Sequence, residues 1–427
     1  MQSIRHPDGE VAPFPFEKYR LLKPGNLATH IFGGRMECSF TLNAAGNTFE
    51  VLMGLAQDFD AVRVITAQGQ GSVTPNISGS VAVVGDTTNA AADAASWSSN
   101  LAWGGSSTTP LTNGIAATYG RRGIQVSDWI FKSSIPRTDG GPLPLLAVRI
   151  NVATNASPVM LMGKAGQADD FSNWATHPSG RIWKMRVANG NFATTSQASF
   201  AASASTVNAC PIIGVQYSAR GKVITVMSIG DSNGEGRGTY LGEGFIFPAC
   251  VANSNKNGIA VEYCNLGWSG SIHGAARESL IDAVAAGIIP DIVFSSNGSP
   301  NDISGASIPA LNIQAFRSIT QRIMSTCREN QICYAGWTWL PSNPSVKDYN
   351  ASDALRVAHN ADFMTYNDKG YIVIDAAAAV SGAIDADGQV NMAVGSTLDN
   401  IHLGDAGNAT VTDLVSPHIA RFVAQAR

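Results

Sequence analysis

Residues 223–236 read VITVMSIGDSNGEG, and the fold of the C-terminal half turns on them. Val223 to Ile229 is an apolar run of strand length without regular polar alternation. That pattern predicts a strand buried on both faces, as in a parallel sheet covered by helices. The run stops at Gly230-Asp231-Ser232, where a strand gives way to a helix and a serine hydroxyl sits at the mouth of the turn. Working outward, the stretches Ile259–Leu266, Asp291–Ser295, Ile332–Trp339 and Tyr371–Ala376 have the same character. Helical patterns lie between them. One runs through His273–Ala286. Another has Ser307 as cap, Pro309 in its first turn and Phe316, Ile319 and Ile323 on one face. A last one carries Val411, Leu414 and Val415, with Pro417 expected to interrupt or kink it. Buried strands alternating with helices predict an α/β domain over residues 211–427, with a mainly parallel sheet and helices on both faces. Ligands of such sheets gather at the carboxyl ends of the strands, and Ser232 and Asn301 each follow such an end.

Residues 1–210 have a different period. Val148, Ile150 and Val152 alternate with Arg149 and Asn151; Trp183, Met185 and Val187 alternate with Lys184 and Arg186; Ile124 and Val126 flank Gln125. Alternation of this kind predicts half-buried strands, separated by turns such as Asp139-Gly140-Gly141 and Asn189-Gly190-Asn191. The expectation is a β-sandwich of jelly-roll type serving as an accessory domain. Residues 86–115 read as a long irregular excursion, and the small, polar segment 196–211 as a linker.

A chain of 427 residues with 44% apolar content holds two packed cores. Charged residues make up 14%, below the roughly 25% of an average soluble protein. The net charge of −4 provides no basic field for nucleic acid or an anionic membrane. No run is long and apolar enough to span a bilayer. The first residues, MQSIRHPDGEVAPFPF, lack the apolar core of a signal peptide, so the chain either is not exported by that route or has lost a presequence. Cys38, Cys210, Cys250, Cys264, Cys327 and Cys333 form no CxxC or zinc-like cluster. They read as buried thiols, with Cys327–Cys333 the closest pair if a disulfide exists. No metal or cofactor is expected.

A serine hydroxyl becomes a useful nucleophile when a base lies within hydrogen-bond reach and a third group holds that base in the right tautomer. Asp399-Asn400-Ile401-His402 supplies both: His402 as base and Asp399 as orienter, close enough for one turn to present them together. The oxyanion of an acyl transition state needs preplaced donors. The amide of Asn301, the backbone N–H of Gly270 and the backbone N–H of Ser232 are the candidates. Trp268, Trp337 and Trp339 either line a sugar-binding cleft or fill the core, with Trp268 the best placed for substrate. His273 is a pocket-lining or exposed helix residue, or a competing base.

Four blocks in this order, Ser232 in GDSN, Ser269-Gly270, Ser299-Pro300-Asn301-Asp302 and Asp399 to His402, make residues 220–427 resemble the SGNH (GDSL-like) hydrolases. That resemblance implies a three-layer α/β/α fold and hydrolysis of carboxylic esters, often acetyl groups on sugars. It assigns Ser232 as nucleophile, His402 as base, Asp399 as orienter, and Gly270 and Asn301, with Ser232, as oxyanion donors. The family usually has glycine two residues before the asparagine, where this chain has Ser299. Gly267 competes with Gly270 for the glycine role.

Singly, each block is an ordinary turn; together they point to catalysis. Gly230-x-Ser232-x-Gly234 also matches the nucleophile elbow of α/β-hydrolases, but those enzymes place several strands before the serine and keep Asp and His far apart. The expected reaction is removal of O-acetyl groups from a polysaccharide through an acyl-enzyme, in an extracellular or virion setting. The alternatives are a lipase or thioesterase for longer acyl chains, or a carbohydrate-binding or virion structural protein with an inactive hydrolase domain.

Overall fold

The computed structural model describes residues 27–31, 36–69, 73–84, 101–112, 123–135, 145–153, 158–163, 183–195, 197–207, 209–236, 244–302, 313–342, 353–386 and 388–426. The chain divides into two compact units, one built from Gly25–Ala116 and Arg122–Val223, the other mainly from Ile224–Arg427.

The first unit is β-rich and its described strand pairs are antiparallel. Its largest sheet runs Ala204–Thr206, Trp183–Asn189, Asn47–Gly54, Leu145–Val152, Asn76–Val84 and Thr109–Pro110. Ile212–Ala219 lies between Leu27–Ile31 and Phe59–Thr66. Pro158–Gly163 pairs with Met36–Thr41 and Ala209–Cys210. Alternation predicted a solvated face for Leu145–Val152, yet Arg149 and Asn151 are buried along with their apolar neighbours. The polar face is an interior ionic cluster. Arg149 Nε donates to Glu50 Oε2 at 2.8 Å, Arg186 Nε donates to Glu50 Oε1 at 3.1 Å, and both guanidinium groups lie over the Phe200 ring, at 4.4 and 5.1 Å.

Phe200 also corrects the linker expected at 196–211. Gln197–Ser203 is a helix, and Ala204–Thr206 and Ala209–Cys210 are paired strands. One fully buried aromatic anchors a segment whose composition is otherwise loop-like. The boundary placed at 210/211 also moves, to 223/224, because Ile212–Ala219 pairs within the β unit. An apolar run of strand length reads alike in either unit, since an antiparallel strand buried on both faces carries the same pattern as a parallel one. Turn 139–141 and most of 86–115 lie outside the described residues.

In the second unit the elements alternate as predicted: β1 (Lys222–Gly230), α1 (Ser232–Glu235), α2 (Ile246–Asn253), β2 (Ile259–Gly267), α3 (His273–Ala285), β3 (Ile292–Asn297), α4 (Ile313–Glu329), β4 (Cys333–Thr338), α5 (Asp353–Met364), β5 (Ile372–Ile374), α6 (Ala376–Val380) and α7 (Asp405–Gln425). Strand order within the unit is β5-β4-β3-β1-β2, and β1–β3, β3–β4 and β4–β5 are parallel. On one face, Ile224, Val226, Phe294 and Trp337 share a core with Phe247 of α2 and Val411, Val415 and Ile419 of α7. On the other, α3 packs on α4 and α4 on α5. Three layers result, with strands buried on both sides.

On α4, Phe316 and Ile323 are buried as predicted while Ile319 is half-buried; Ser307 and Pro309 lie outside the described residues. Helix α7 continues through Pro417 rather than stopping there. Cys210, Cys250, Cys264, Cys327 and Cys333 are buried free thiols, so Cys327 and Cys333 are not bridged. Burial pushes the Cys333 thiol up to about 12, with nearby Asp291 adding to the rise.

The sheet order positions the site. The chain leaves β1 for β2 on one side and then crosses to β3 on the other, so the topological switch lies between β1 and β3. Ser232 follows β1, and Ser299 and Asn301 follow β3.

Candidate active site

The turn after β1 is built for close approach. Gly230 has φ +153°, and a Cβ there would lie 2.6 Å from Ser296 Oγ, which only glycine avoids. Its carbonyl accepts from Trp268 N at 2.9 Å and from Ser271 Oγ at 2.7 Å, tying the β1 and β2 loops together. Asp231 caps α1, accepting from Asn233 N at 3.0 Å and Gly234 N at 3.4 Å. That cap leaves the N–H of Ser232, the first helical residue, without a partner among the described residues. Burial raises the Asp231 carboxyl, although the Ser299 hydroxyl, the two cap N–H groups and nearby His402 favour its charge.

The loop before α7 brings the other two groups. Asp399 Oδ1 accepts from Ile401 N at 3.1 Å and His402 N at 2.9 Å, closing a tight turn. Asn400 within it has φ +70°, a left-handed conformation that asparagine tolerates better than most side chains. The His402 ring lies between partners: Nδ1 is 2.7 Å from Asp399 Oδ2, and Nε2 is 2.8 Å from Ser232 Oγ. A carboxylate only accepts, so Nδ1 carries the proton and Nε2 offers its lone pair to the serine hydroxyl. Partial burial works against charge on Asp399, but the bonds from His402 and Ile401 outweigh it and lower the carboxyl below its ordinary value.

Sequence reasoning missed how this loop is fixed to the serine. Asn233, the residue after the nucleophile candidate, reaches across with both ends of its amide. Its Oδ1 accepts from Leu403 N at 3.1 Å, and its Nδ2 donates to Ile401 O at 3.4 Å. Thr397 holds the far side, its Oγ1 accepting from Asn400 N at 2.7 Å and donating to His402 O at 3.0 Å. The only signal in the sequence was an asparagine placed immediately after GDS.

Of the three oxyanion candidates, Ser232 N and Gly270 N have no partner among the described residues. Gly270 has φ +82° and open space where a side chain would project. Gly267 is different: a Cβ there would sit 2.2 Å from Glu235 N, so it is a packing glycine between β2 and α1. Asn301 Nδ2 donates to Ser271 O at 3.1 Å and to Ser299 Oγ at 3.0 Å.

Two expectations are corrected. Trp268 is 1% exposed and cannot meet substrate; Trp337 and Trp339 are equally interior. Large aromatics fill the volume beneath the turn, which composition alone could not distinguish from a cleft wall. His273 is fully buried, its N–H donating to Asp302 Oδ1 at 3.0 Å and its Nε2 bonded to Thr320 Oγ1 at 3.0 Å. Burial, with His359 nearby, lowers it to about 3, so it is neither a base nor a substrate contact.

No family model and no curated protein matches the chain. Among solved structures it is similar to a GDSL-like lipase from Bacteroides thetaiotaomicron (16% identity, covering 46% of this chain and 88% of that one, TM-score 0.37). It is also similar to the acetyl xylan esterase AlAXEase (19%, 46% and 100%, TM-score 0.37) and to a lipase/acylhydrolase from Enterococcus faecalis (16%, 46% and 96%, TM-score 0.36).

Proposed function

We propose that this protein is a serine ester hydrolase of SGNH type. One observation carries the reading: Ser232 Oγ, His402 Nε2, His402 Nδ1 and Asp399 Oδ2 form an unbroken hydrogen-bonded chain. Ser232 Oγ attacks the ester carbonyl carbon while its proton passes to His402 Nε2. Asp399 stabilises the imidazolium that forms. The negative oxygen is met by Ser232 N and Gly270 N, and by Asn301 Nδ2 once it gives up its bond to the Ser271 carbonyl. His402 returns the proton to the departing alkoxide, leaving an acyl group on Ser232. A water molecule, deprotonated by His402, attacks the acyl carbon; the bond to Ser232 Oγ breaks, His402 returns the proton to that oxygen, and the carboxylic acid leaves.

For the substrate we favour O-acetyl groups on a polysaccharide, with the antiparallel unit acting as a sandwich-like accessory domain. The low charge and the presence of a separate β-rich unit support that reading. Longer acyl chains are the second reading, because the loop carrying Asp399 also presents Val394 and Leu398 to solvent. Hydrolysis of p-nitrophenyl acetate by the wild type, lost in Ser232→Ala, is the primary test. No turnover by a folded wild type would leave a binding or structural role. Acetate release from a panel of acetylated glycans, set beside a p-nitrophenyl ester chain-length series, separates the two substrate classes.

A further inference from the structure

Ser299 stands between the turn that carries the nucleophile and the turn that carries Asn301, and its hydroxyl is saturated. It donates to Asp231 Oδ2 at 2.7 Å and accepts from Asn301 N at 3.2 Å and Asn301 Nδ2 at 3.0 Å. A serine hydroxyl has one proton and two lone pairs, so nothing is left over. The direction of this relay is forced. Asp231 is held as the cap of α1 by two backbone N–H groups on its other oxygen, and in its charged form it only accepts, so the Ser299 proton goes to it. Ser299 can then show Asn301 only lone pairs. The Asn301 amide must turn its NH₂, not its carbonyl, toward Ser299, and the Ser271 carbonyl makes the same demand at 3.1 Å. A hydroxyl already polarised toward a carboxylate is also a stronger acceptor than an isolated one.

We infer that Ser299 is a positioning residue for catalysis: its hydroxyl selects and holds the donor orientation of the Asn301 amide and couples it to the Asp231 cap of the nucleophile turn. This rests on the esterase reading above and adds to it a role for a side chain that touches no substrate. Both N–H groups of the resting amide are taken, by the Ser271 carbonyl and by Ser299, so meeting the oxyanion means releasing the Ser271 bond while Ser299 keeps the amide turned; without the hydroxyl that anchor is gone. The amide carbonyl then competes for the face that meets the oxyanion, where an acceptor repels rather than stabilises. The loss falls on the transition state and spares ground-state binding.

The experiment is a double-mutant cycle on p-nitrophenyl acetate, with folding of each variant checked by thermal melt. Ser299→Ala and Ser299→Gly remove the same hydroxyl, and Gly adds no bulk at this fully buried position. Each is expected to lower kcat about tenfold or more, short of the roughly 10²–10³ of losing an oxyanion donor outright, with KM within about twofold of wild type. In an Asn301→Ala background the same change is expected to cost less than about twofold, because its target is gone. Full kcat in a folded Ser299 variant, or losses that multiply in the double variant, overturns the inference. If wild type turns over and Ser232→Ala does not, the esterase reading stands whatever the Ser299 variants do. If wild type is inert, both fall together.

Discussion

Each unit of this protein holds a cluster of three polar side chains far apart in sequence, and the two are finished differently. In the β unit, Glu50, Arg149 and Arg186 lie inside the largest sheet, and Arg149 also donates to the carbonyls of Phe192 and Thr195 at 3.1 and 2.9 Å. Every charge there faces an opposite charge, a carbonyl or an aromatic face. In the α/β unit, Asp399, His402 and Ser232 form a chain with one end left free. The Asp399 side chain is 41% exposed, and the Ser232 hydroxyl uses its proton on His402 while its oxygen keeps lone pairs for an incoming carbon. Saturation is what a structural cluster needs; a directed chain with an open end is what the proposed chemistry needs.

The contrast is broken most severely at the serine. Ser232→Ala and His402→Ala are each expected to lower kcat on p-nitrophenyl acetate by about 10⁴-fold or more while leaving the thermal midpoint nearly unchanged. Steady-state kinetics beside a melting curve reads both. A large drop in stability would mean the chain Asp399–His402–Ser232 is a structural cluster after all.

Glu50→Ala reverses that pattern. It strands two buried guanidinium groups against each other, with an expected cost of about 3–5 kcal/mol in denaturant unfolding. Burial already lowers the Arg149 pKa despite its Glu50 partner, so the site has no spare tolerance for uncompensated charge. The proposed esterase activity of the folded fraction is expected to stay at the wild-type value. Replacing all three charges with apolar residues of similar volume is expected to recover most of the stability, because a buried ion triad offers little net gain over good packing.

These clusters were unequally legible in the sequence. Ser232, Asp399 and His402 could be found because chemistry restricts residue type and each sits at the end of a strand or the start of a helix. The Glu50 cluster could not: Arg149 and Arg186 stood at the polar positions of alternating strands, and alternation does not distinguish a solvated face from a buried, paired one. The same blindness made Trp268 and His273 look available to substrate. Hydrophobic runs located β1, β2, β3 and β4 to within a residue or two of their ends. Which unit claimed Ile212–Ala219 depended on strand pairing, which a one-dimensional pattern does not encode.

Acid stability gives a third, smaller effect, and it arises beside the candidate site. Burial holds His273 at about 3 and His359 at about 4, against an unfolded value of 6.5. Between those limits the unfolded chain takes up protons that the folded one refuses, so stability falls as pH drops below about 6.5. Asp302 opposes this. Burial raises it to about 7 from 3.8, so the folded state holds a proton the unfolded state lacks, and that contribution is lost as pH rises through 7. From pH 4 to 6.5, two histidines work against one carboxyl. The net slope is about one proton, or roughly 1.4 kcal/mol of stability lost per pH unit of acidification. His359→Gln is expected to flatten that slope in denaturant titrations at pH 4.5, 5.5 and 6.5. An unchanged slope would mean that His359 titrates normally in the fold.

The smallest effect tests how the open-ended chain is kept in register. Asn233 makes one 3.1 Å and one 3.4 Å hydrogen bond to the backbone on either side of His402, and it touches neither Ser232 Oγ nor the imidazole in these bonds. The longer bond contributes little, while the shorter satisfies a buried N–H whose loss costs about 1–3 kcal/mol locally. In Asn233→Ala, Asp399 still orients His402, since all its bonds lie within the turn itself. What is lost is the placement of that turn against α1, so Nε2 spends less time at 2.8 Å from the hydroxyl. The expected outcome is a fall in kcat of about tenfold with KM little changed, well short of the loss on removing His402. Asn233→Asp keeps the acceptor for Leu403 N and discards the weaker donor, so it is expected to recover much of the rate. A loss in Asn233→Ala as large as that in His402→Ala would show that the turn has no fixed position without its clamp.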